Sequence, residues 1–338
     1  MAMRMNRRAV IAGAACMAMT VAAQVKPAAA ATDLRGFIEG LRKKTTPNGV
    51  MSAKGLKLAG EDPLPKGATL TDTNVILTGG VTLDGWDLGG RGIHVKGRAS
   101  IANVLSTGVR GAKQGGPLYP VQIGVEGDLE WAEFMEIHGT YGKVGGPSKA
   151  LAGQERGAGN GLRTGRMRML RRSRFEGFPQ DHTYTYGVPG GEEVIEECYF
   201  GPQWAVNGTA PHADVGTIGG AAGHVIWRRN LIDHTAAGNA IGINNIWRIV
   251  RNKKDRYNTG SVPVEWLTFE ENVAHYDPGK SFPIHIESGG QPGWDNPRIE
   301  FIGNWLGANS RGAYFFPGSR AKVTRWEGNR DVDSGRAI

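Results

Sequence analysis

The sequence is poor in cysteine, with 2 among 338 residues. Cys16 lies in an N-terminal apolar stretch, so Cys198 is the single thiol of the remaining chain. One thiol allows no internal disulfide, and stability must then come from packing. After the N-terminal stretch, no segment approaches the ~20 apolar residues of a membrane-spanning helix. Cysteine and histidine also lack the spacing of a zinc site, so we assign no metal ligand and no cofactor, and leave calcium open.

The N-terminus is typical of an export signal. A basic start that ends with Arg7 and Arg8 precedes an apolar run from Ala9 to Ala23, and Ala28 to Ala31 provide small residues for cleavage. We therefore predict a signal peptide over residues 1–30 and a periplasmic or extracellular protein. We expect this protein to be a monomer without a membrane segment after cleavage.

Glycine and positive charge are both abundant. The 52 glycines follow no collagen period, which indicates many tight turns. The formal net charge is +8. Outside the cytoplasm such a surface suits an acidic polysaccharide more often than nucleic acid. We expect an acidic polysaccharide as the partner and no nucleic acid.

Short segments of one shape recur along the second half of the chain. Each ends an apolar-alternating run and places a small residue at the same point: Cys198, Asn230, Asn272, Asn304 and Asn329. The steps between these residues are 32, 42, 32 and 25. Ser173 is expected one turn earlier, and the segment Ala102-Asn103-Val104-Leu105 near the start. Repeats of this length are typical of solenoids.

The repeating residue suits the corner of a parallel β-helix. Each turn of such a fold lays its strands on those of the previous turn, about 4.8 Å away. Asparagine tolerates left-handed backbone, and its amide both donates and accepts along a stack; serine and cysteine fit the same place. We predict an all-β, right-handed parallel β-helix over residues 80–338. Residues 31–79 form a capping region, in which Leu34 to Leu41 form a capping helix.

A second strand is expected after each corner, and longer insertions become loops beside a binding groove. The expected second strands include 184–187, 216–219, 241–243, 284–286 and 313–316. The expected insertions are 110–120, 143–159, 188–193, 244–262 and 289–297. The basic run from Arg248 to Arg256 falls in one of these insertions and reads as a solvated loop.

The repeat, together with the segment Pro211-His212-Ala213-Asp214-Val215-Gly216 and the following Gly219-Gly220, resembles the pectate-lyase-like group of right-handed β-helix proteins. The resemblance covers roughly residues 80–329. It implies an exported, carbohydrate-active protein, since members of the group cleave acidic polysaccharides by β-elimination, hydrolyse them or epimerise uronic acids. The acidic calcium-binding cluster of typical pectate lyases and the motifs of polygalacturonases are not apparent. The Asp-Pro-His-Asp motif of alginate epimerases is half matched by residues 211–214.

Alignment of the second strands places polar residues in three columns. The first column holds Gln180, His212, Ala237 and Lys280; the second holds His182, Asp214, Asn239 and Phe282; the third holds Arg163, Thr185, Thr217, Gly242 and His285. Residues of one column on adjacent turns can contact the same sugar. A slip of one residue would turn a strand's side chains to the other face.

These columns predict a lyase that cleaves an acidic, uronate-containing polysaccharide by β-elimination. Elimination needs a cation for the carboxylate, a base for the adjacent proton and an acid for the leaving oxygen. The predicted catalytic residues are His212, Asp214, His182 and His285. The predicted substrate-binding residues are Arg163, Lys280, Asn239 and Gln180. In this scheme His212, held by Asp214, is the base, and His182 or His285 is the acid.

Two other functions stay open. A glycoside hydrolase needs two carboxyl groups, which Asp181 with Asp214, or Asp214 with Glu287, would supply. Carboxylates otherwise look sparse around the columns, which modestly favours elimination. A non-catalytic carbohydrate-binding protein would bind glycans without turnover.

Overall fold

The structure is a computed structural model that describes residues 55–106, 121–123, 127–138, 161–163, 166–176, 178, 181–188, 190–201, 203–204, 214–219, 223–234, 236–237, 245–250, 265–276, 282–287 and 298–338. It contains two large sheets with parallel pairing between successive turns. Parallel crossovers of this kind are right-handed because strands twist to the right. The predicted right-handed parallel β-helix is therefore confirmed, whereas the predicted signal peptide and capping helix lie outside the described residues.

Two of the three faces of the coil belong to one continuous sheet. Three long strands cross the corner between these faces: β4 (Val81–Asp87), β6 (Arg98–Ser106) and β8 (Asp128–His138). The first face continues with β10 (Met169–Arg171), β13 (Glu192–Glu196), β17 (His224–Arg228), β21 (Trp266–Glu270), β24 (Arg298–Ile302) and β26 (Arg325–Glu327). The second face continues with β11 (Arg174–Glu176), β14 (Tyr199–Phe200), β18 (Leu231–His234), β22 (Val273–Tyr276), β25 (Trp305–Leu306) and β27 (Arg330–Asp331).

The third face is a separate sheet, which we call the third sheet. It consists of β2 (Ala68–Leu70), β3 (Asn74–Leu77), β5 (Gly92–Val95), β7 (Val121–Ile123), β9 (Leu162–Arg163), β12 (Thr183–Thr185), β16 (Gly216–Gly219), β20 (Trp247–Val250) and β23 (Ile284–Ile286). The remaining elements are β1 (Lys57–Leu58), the pair β15 (Gln203–Trp204) and β19 (Ala236–Ala237), and a 3₁₀ turn, Arg320–Lys322. Strands β1 to β3 lie inside the predicted capping region, so the sheets begin before residue 80.

The core fills the inside of the coil. Alternate residues of each strand point inward and stack on their counterparts, as a period of two requires. Phe269 and Phe301 stack with ring centroids 4.5 Å apart, and Trp247 lies 4.7 Å from Phe269. All three side chains are fully buried. Without disulfides, these stacked apolar layers hold successive turns together.

At successive corners between the first two faces, one residue has the left-handed backbone conformation. Positive φ angles between 47° and 55° occur at Asn103, Phe134, Arg172, Glu197, Arg229 and Glu271, and Gly303 and Gly328 take the same place with 64° and 65°. The stacked residue follows each of them, and from Ser173 onward it is a serine, a cysteine or an asparagine. The prediction that the stacked asparagine itself is left-handed is therefore wrong. Asn103 is left-handed, and Val104, not Asn103, takes the stacked position.

The stacked residues form a ladder of side-chain hydrogen bonds. The Oδ1 of Asn272 accepts from the backbone N–H of Asn230 at 3.1 Å and from its Nδ2 at 2.9 Å. The Nδ2 of Asn272 donates to Asn304 Oδ1 at 3.0 Å and to the Trp227 carbonyl at 2.9 Å. Cys198 joins the ladder, because its N–H donates to Asn230 Oδ1 at 2.9 Å. The predicted repeat of stacked corners is thus confirmed.

Charged residues beside this ladder alternate in sign from turn to turn. Arg171 contacts Glu133 at 2.8 Å, and two turns later Arg228 contacts Glu196 at 2.7 Å. Surface ion pairs with a solvent-exposed arginine add little stability each. Opposite charges on neighbouring turns do disfavour a shifted register, in which like charges would meet.

The turn after β16 differs from its expected course. The expected strand 241–243 lies outside the described residues, and β20 pairs with β16 in its place. The start of the basic run is therefore a strand residue, Arg248, and not part of a solvated loop. Residues 247–250 also lie within the expected insertion 244–262. Both apolar runs alternate, and the sequence alone did not show which one continues the stack.

Candidate functional site

The candidate site lies on the outer surface of the third sheet. Successive strands place Tyr184, Thr217, Arg248 and His285 in one outward row, and the backbone of Arg163 pairs with Tyr184 at the same register. We call this set the outer row. Arg163, Thr217 and His285 were expected in one column, and the strand pairing confirms this part of the alignment. Thr185 is fully buried and one residue out of register, and Tyr184 takes the place expected for it.

A second ladder forms where the chain enters the third sheet. The backbone N–H of Asp214 donates to Asp181 Oδ1 at 3.1 Å. Asp214 Oδ1 in turn accepts from the N–H of Asn245 at 2.8 Å and from its Nδ2 at 3.0 Å. The expected pairing of His182 and Asn239 with Asp214 is wrong, since Asp181 and Asn245 flank it. For His182 the reason is a slip of one residue at a corner, where alternation does not define the register. For Asn239 the reason is that β20, and not the run 241–243, pairs with β16.

Asp214 connects this ladder to the outer row. Its carboxylate is fully buried, accepts from the Thr217 hydroxyl at 3.2 Å and lies 3.8 Å from Arg248 Nη1. Arg248 also donates to Glu287 from Nε at 2.8 Å, and from Nη2. The guanidinium therefore lies between a buried carboxylate and a partly exposed one. The two carboxylates hold the Arg248 guanidinium in place, and 22 % of the Arg248 side chain is still exposed.

Burial and charge act strongly on Asp181. Burial raises the pKa of Asp181 well above its ordinary value, and the nearby charge of Asp214 raises it further. The Thr217 hydroxyl, the Asp214 backbone N–H and the Arg248 guanidinium act on Asp181 in the opposite direction. Asp181 therefore keeps its proton to a higher pH than an exposed aspartate does.

His182 lies inside the coil, away from the outer row. Its side chain is fully buried, with its ring 5.5 Å from that of Phe178 and 5.8 Å from that of Phe200. Burial lowers the pKa of His182 from 6.5 to about 3. An imidazole in this place does not reach a polymer on the outside. We therefore do not retain the predicted acid role of His182.

His182 and Glu193 together predict how stability depends on pH. The lowered pKa of His182 means that the unfolded chain binds a proton below pH 6.5 that the folded chain does not, so stability falls as pH drops from 6.5 toward 3. Burial raises the pKa of Glu193 from 4.5 to about 8, so stability falls as pH rises through that interval. Each slope is about 1.4 kcal/mol per pH unit. The slopes of His182 and Glu193 cancel between pH 4.5 and 6.5 and give a plateau there, on which the remaining decline with rising pH comes from the raised pKa of Asp181.

Urea midpoints measured from pH 3.5 to 8.5 test this expectation. His182→Phe should flatten the acid limb and leave the alkaline limb. Glu193→Gln should flatten part of the alkaline limb, with Asp181 contributing the rest. Unchanged limbs in both folded variants would contradict the assignment.

Several predicted site residues lie outside the described residues: His212, Gln180, Asn239 and Lys280. Of Arg163 the backbone position is described. Reading the sequence missed Arg248 and Asn245 as members of this site, because the strand 241–243 was expected in place of β20. The signal that identifies them is the alternation Ile246-Trp247-Arg248-Ile249 directly after an asparagine. Carboxylates are also less sparse here than expected, since Asp181, Asp214 and Glu287 surround Arg248.

The described part of the chain also bears on metal binding and on membrane insertion. Among these residues, no three or more His, Cys, Asp or Glu side chains are grouped closely enough to hold a metal ion. Nor does this part of the chain contain a helix with the length and apolar character needed to cross a membrane.

The strand pairing and the corner ladders define the class: a right-handed parallel β-helix whose third sheet carries the outer row. No family model and no curated protein matches the chain. Among solved structures, the chain is similar to the crystal structure of a pectin methylesterase from Aspergillus niger, with a TM-score of 0.31 and 8 % sequence identity. The similarity covers 83 % of this chain and 87 % of that chain. A likeness of this size says nothing about substrate or reaction.

Proposed function

We propose that this protein is an exported lyase that cleaves an acidic, uronate-containing polysaccharide by β-elimination on the outer row. The observation that carries the proposal is the placement of Arg248 and His285 on adjacent turns, both facing outward. Adjacent turns are about 4.8 Å apart, so one uronate can contact both side chains. Arg248 replaces Arg163 and Lys280 as the cation that binds the substrate carboxylate.

Arg248 suits this role because buried residues next to it hold its guanidinium in place. The buried Asp214 holds Nη1, and Thr217 and Asn245 hold Asp214. Asp214 is thus a positioning residue and does not need contact with substrate. The side chain of Glu287 is 34 % exposed, and a uronate carboxylate would exchange with it at the Nε side of the guanidinium.

The elimination then proceeds by ordinary acid–base chemistry. With its charge balanced by Arg248, the carboxylate makes the proton on the neighbouring carbon more acidic. His285 accepts that proton, and the electron pair forms a carbon–carbon double bond as the bond to the glycosidic oxygen breaks. The leaving oxygen takes a proton, either from the protonated His285 or from water that His285 then reprotonates, and becomes a hydroxyl group. Net charge favours the same substrate class: four of the eight net positive charges lie in the predicted signal peptide, and the remaining +4 still attracts a polyanion.

Hydrolysis is the second candidate, favoured by the pairing of Asp181 with Asp214. The two carboxyl groups lie on adjacent turns, and the spacing of adjacent strands, about 4.8 Å, is close to the carboxyl separation of ~5–5.5 Å in retaining glycosidases. Their burial weighs against this candidate, because Asp181 is 7 % exposed and Asp214 is fully buried. Both groups would need to become accessible before a sugar could contact them.

A product assay tests the proposal. The mature protein is incubated with alginate, pectate, glucuronan and chondroitin sulfate, with dextran as a neutral control. We expect a rise in ultraviolet absorbance from the unsaturated product of at least one acidic polymer, and none from dextran. New reducing ends without that absorbance would select hydrolysis. Binding without either product, over all four polymers, would contradict both reactions.

A further inference from the structure

The outer row continues beyond His285 to an exposed aromatic side chain. Ile284 bridges Phe315, the N–H of Phe316 donates to the Ile284 carbonyl at 2.8 Å, and that of Ile284 donates to the Tyr314 carbonyl at 3.1 Å. This pairing places Phe316 opposite His285 on the outward side. Phe315 points the other way, where its ring lies 4.8 Å from that of Trp326.

One side of the Phe316 ring packs against neighbouring rings, and a large part of the residue is exposed. Its ring centroid lies 4.1 Å from that of His285 and 5.5 Å from that of Phe282, which meets it edge-on. Nevertheless 37 % of the residue stays exposed, whereas Phe269 and Phe301 inside the coil are fully buried. After Phe316 the chain turns away at Gly318, with a φ of 82°. In the described part of the chain, no further strand of the third sheet covers this ring.

We propose that Phe316 forms a sugar-stacking subsite that holds the polysaccharide next to the outer row. A sugar ring has an apolar face that packs on an aromatic ring and hydroxyl groups at its rim that need polar partners. Phe316 offers the ring. Glu287 on the preceding turn, and Arg248 one turn further away, offer charged groups along the same surface. This subsite deepens the proposed function and rests on it for the choice of substrate.

The spacing assigns Phe316 to a sugar other than the one that is cleaved. Arg248 and Phe316 are two turns apart, or about 10 Å along the coil axis. One uronate cannot contact both, so a chain bound by both must run along the coil axis. Phe316 then contributes to affinity and to the position of the cut, and not to proton transfer.

Variants of Phe316 test whether the subsite needs a flat aromatic ring or only an apolar side chain. Phe316→Leu keeps apolar volume without a flat face, and Phe316→Tyr keeps the ring. We expect Phe316→Leu to raise KM for the cleaved polymer about five- to tenfold, to change kcat little and to alter the lengths of the products. Phe316→Tyr should resemble the parent protein. Trp131→Ala, a matched control on the first face with 36 % exposure, should change nothing.

Affinity electrophoresis in gels that contain alginate, pectate, glucuronan or chondroitin sulfate gives a readout independent of turnover. Weaker retardation of Phe316→Leu than of the parent protein, with Phe316→Tyr and Trp131→Ala unchanged, is the expected result. Equal retardation and equal product lengths for Phe316→Leu would overturn the subsite and leave the lyase proposal standing. If His285→Ala cleaves normally while Phe316→Leu still binds weakly, the proposed reaction fails and the subsite stands. If no polymer retards the parent protein, both proposals fail.

Discussion

His285→Ala is expected to lower kcat/KM for the cleaved polymer by two to four orders of magnitude. This is the usual effect of removing a general base that is positioned on the substrate. His285 is half-buried and faces outward in the last described strand of the third sheet, so its loss leaves the stacked core intact. The thermal midpoint should therefore change little.

His94 provides the matched control for this variant. It occupies the same outward position on β5, several turns from Arg248, and is also half-buried. His94→Ala should retain full activity. If His94→Ala and His285→Ala lost activity equally, or if neither lost it, the outer row near Arg248 would not be the reaction site. Asp214→Asn completes the set, because as a positioning variant it should mainly raise KM for acidic polymers.

Asn272→Ala is expected to destabilise the protein by about 3–5 kcal/mol. The substitution leaves the buried N–H of Asn230 and the carbonyl of Trp227 without the side-chain partners they have now, and each orphaned buried group costs about 1–3 kcal/mol. The amide also spans three turns, so its loss weakens contacts above and below it. Denaturant unfolding at pH 6, on the predicted plateau, measures the difference.

Two further variants make the ladder test specific. Asn272→Ser should cost less than Asn272→Ala, because a serine already serves in this ladder: Ser173 Oγ accepts from the N–H of Met135 at 3.1 Å. Asn74→Ala should cost less than about 1 kcal/mol, since its Nδ2 donates to the neighbouring Thr73 hydroxyl at the start of the coil. Equal costs for Asn272→Ala and Asn74→Ala would show that the ladder adds no stability of its own.

Much of the fold could be predicted because a solenoid repeats its local rules. The stacked corners at Cys198, Asn230, Asn272 and Asn304 were identified from spacing and residue type alone. The left-handed residue was assigned one position too late, because Arg229 and Glu271 carry no signature of positive φ. Their conformation is imposed by the turn that follows, and long side chains tolerate it there since they point to solvent.

The candidate site could be predicted in part. Thr217 and His285 were placed in one column from their apolar neighbours, and Asp214 was selected from its place before a strand. Arg248 was missed because two alternating runs, 241–243 and 247–250, could each form the strand of that turn. His182 was assigned to the outer surface because the sequence did not show how many residues the corner contains. A difference of one residue there turns the following side chains to the opposite face.

The sequence by itself determined the all-β solenoid, its ladder and the strand that carries Asp214, since each depends on short-range pattern and on a repeated spacing. The tertiary structure decided which run continues the stack after β16 and which side chains face outward there. That choice depends on hydrogen bonds between turns, such as those from Asn245 to Asp214, which join residues far apart in the chain. A local pattern contains no information about such partners, and the outer row exists because of them.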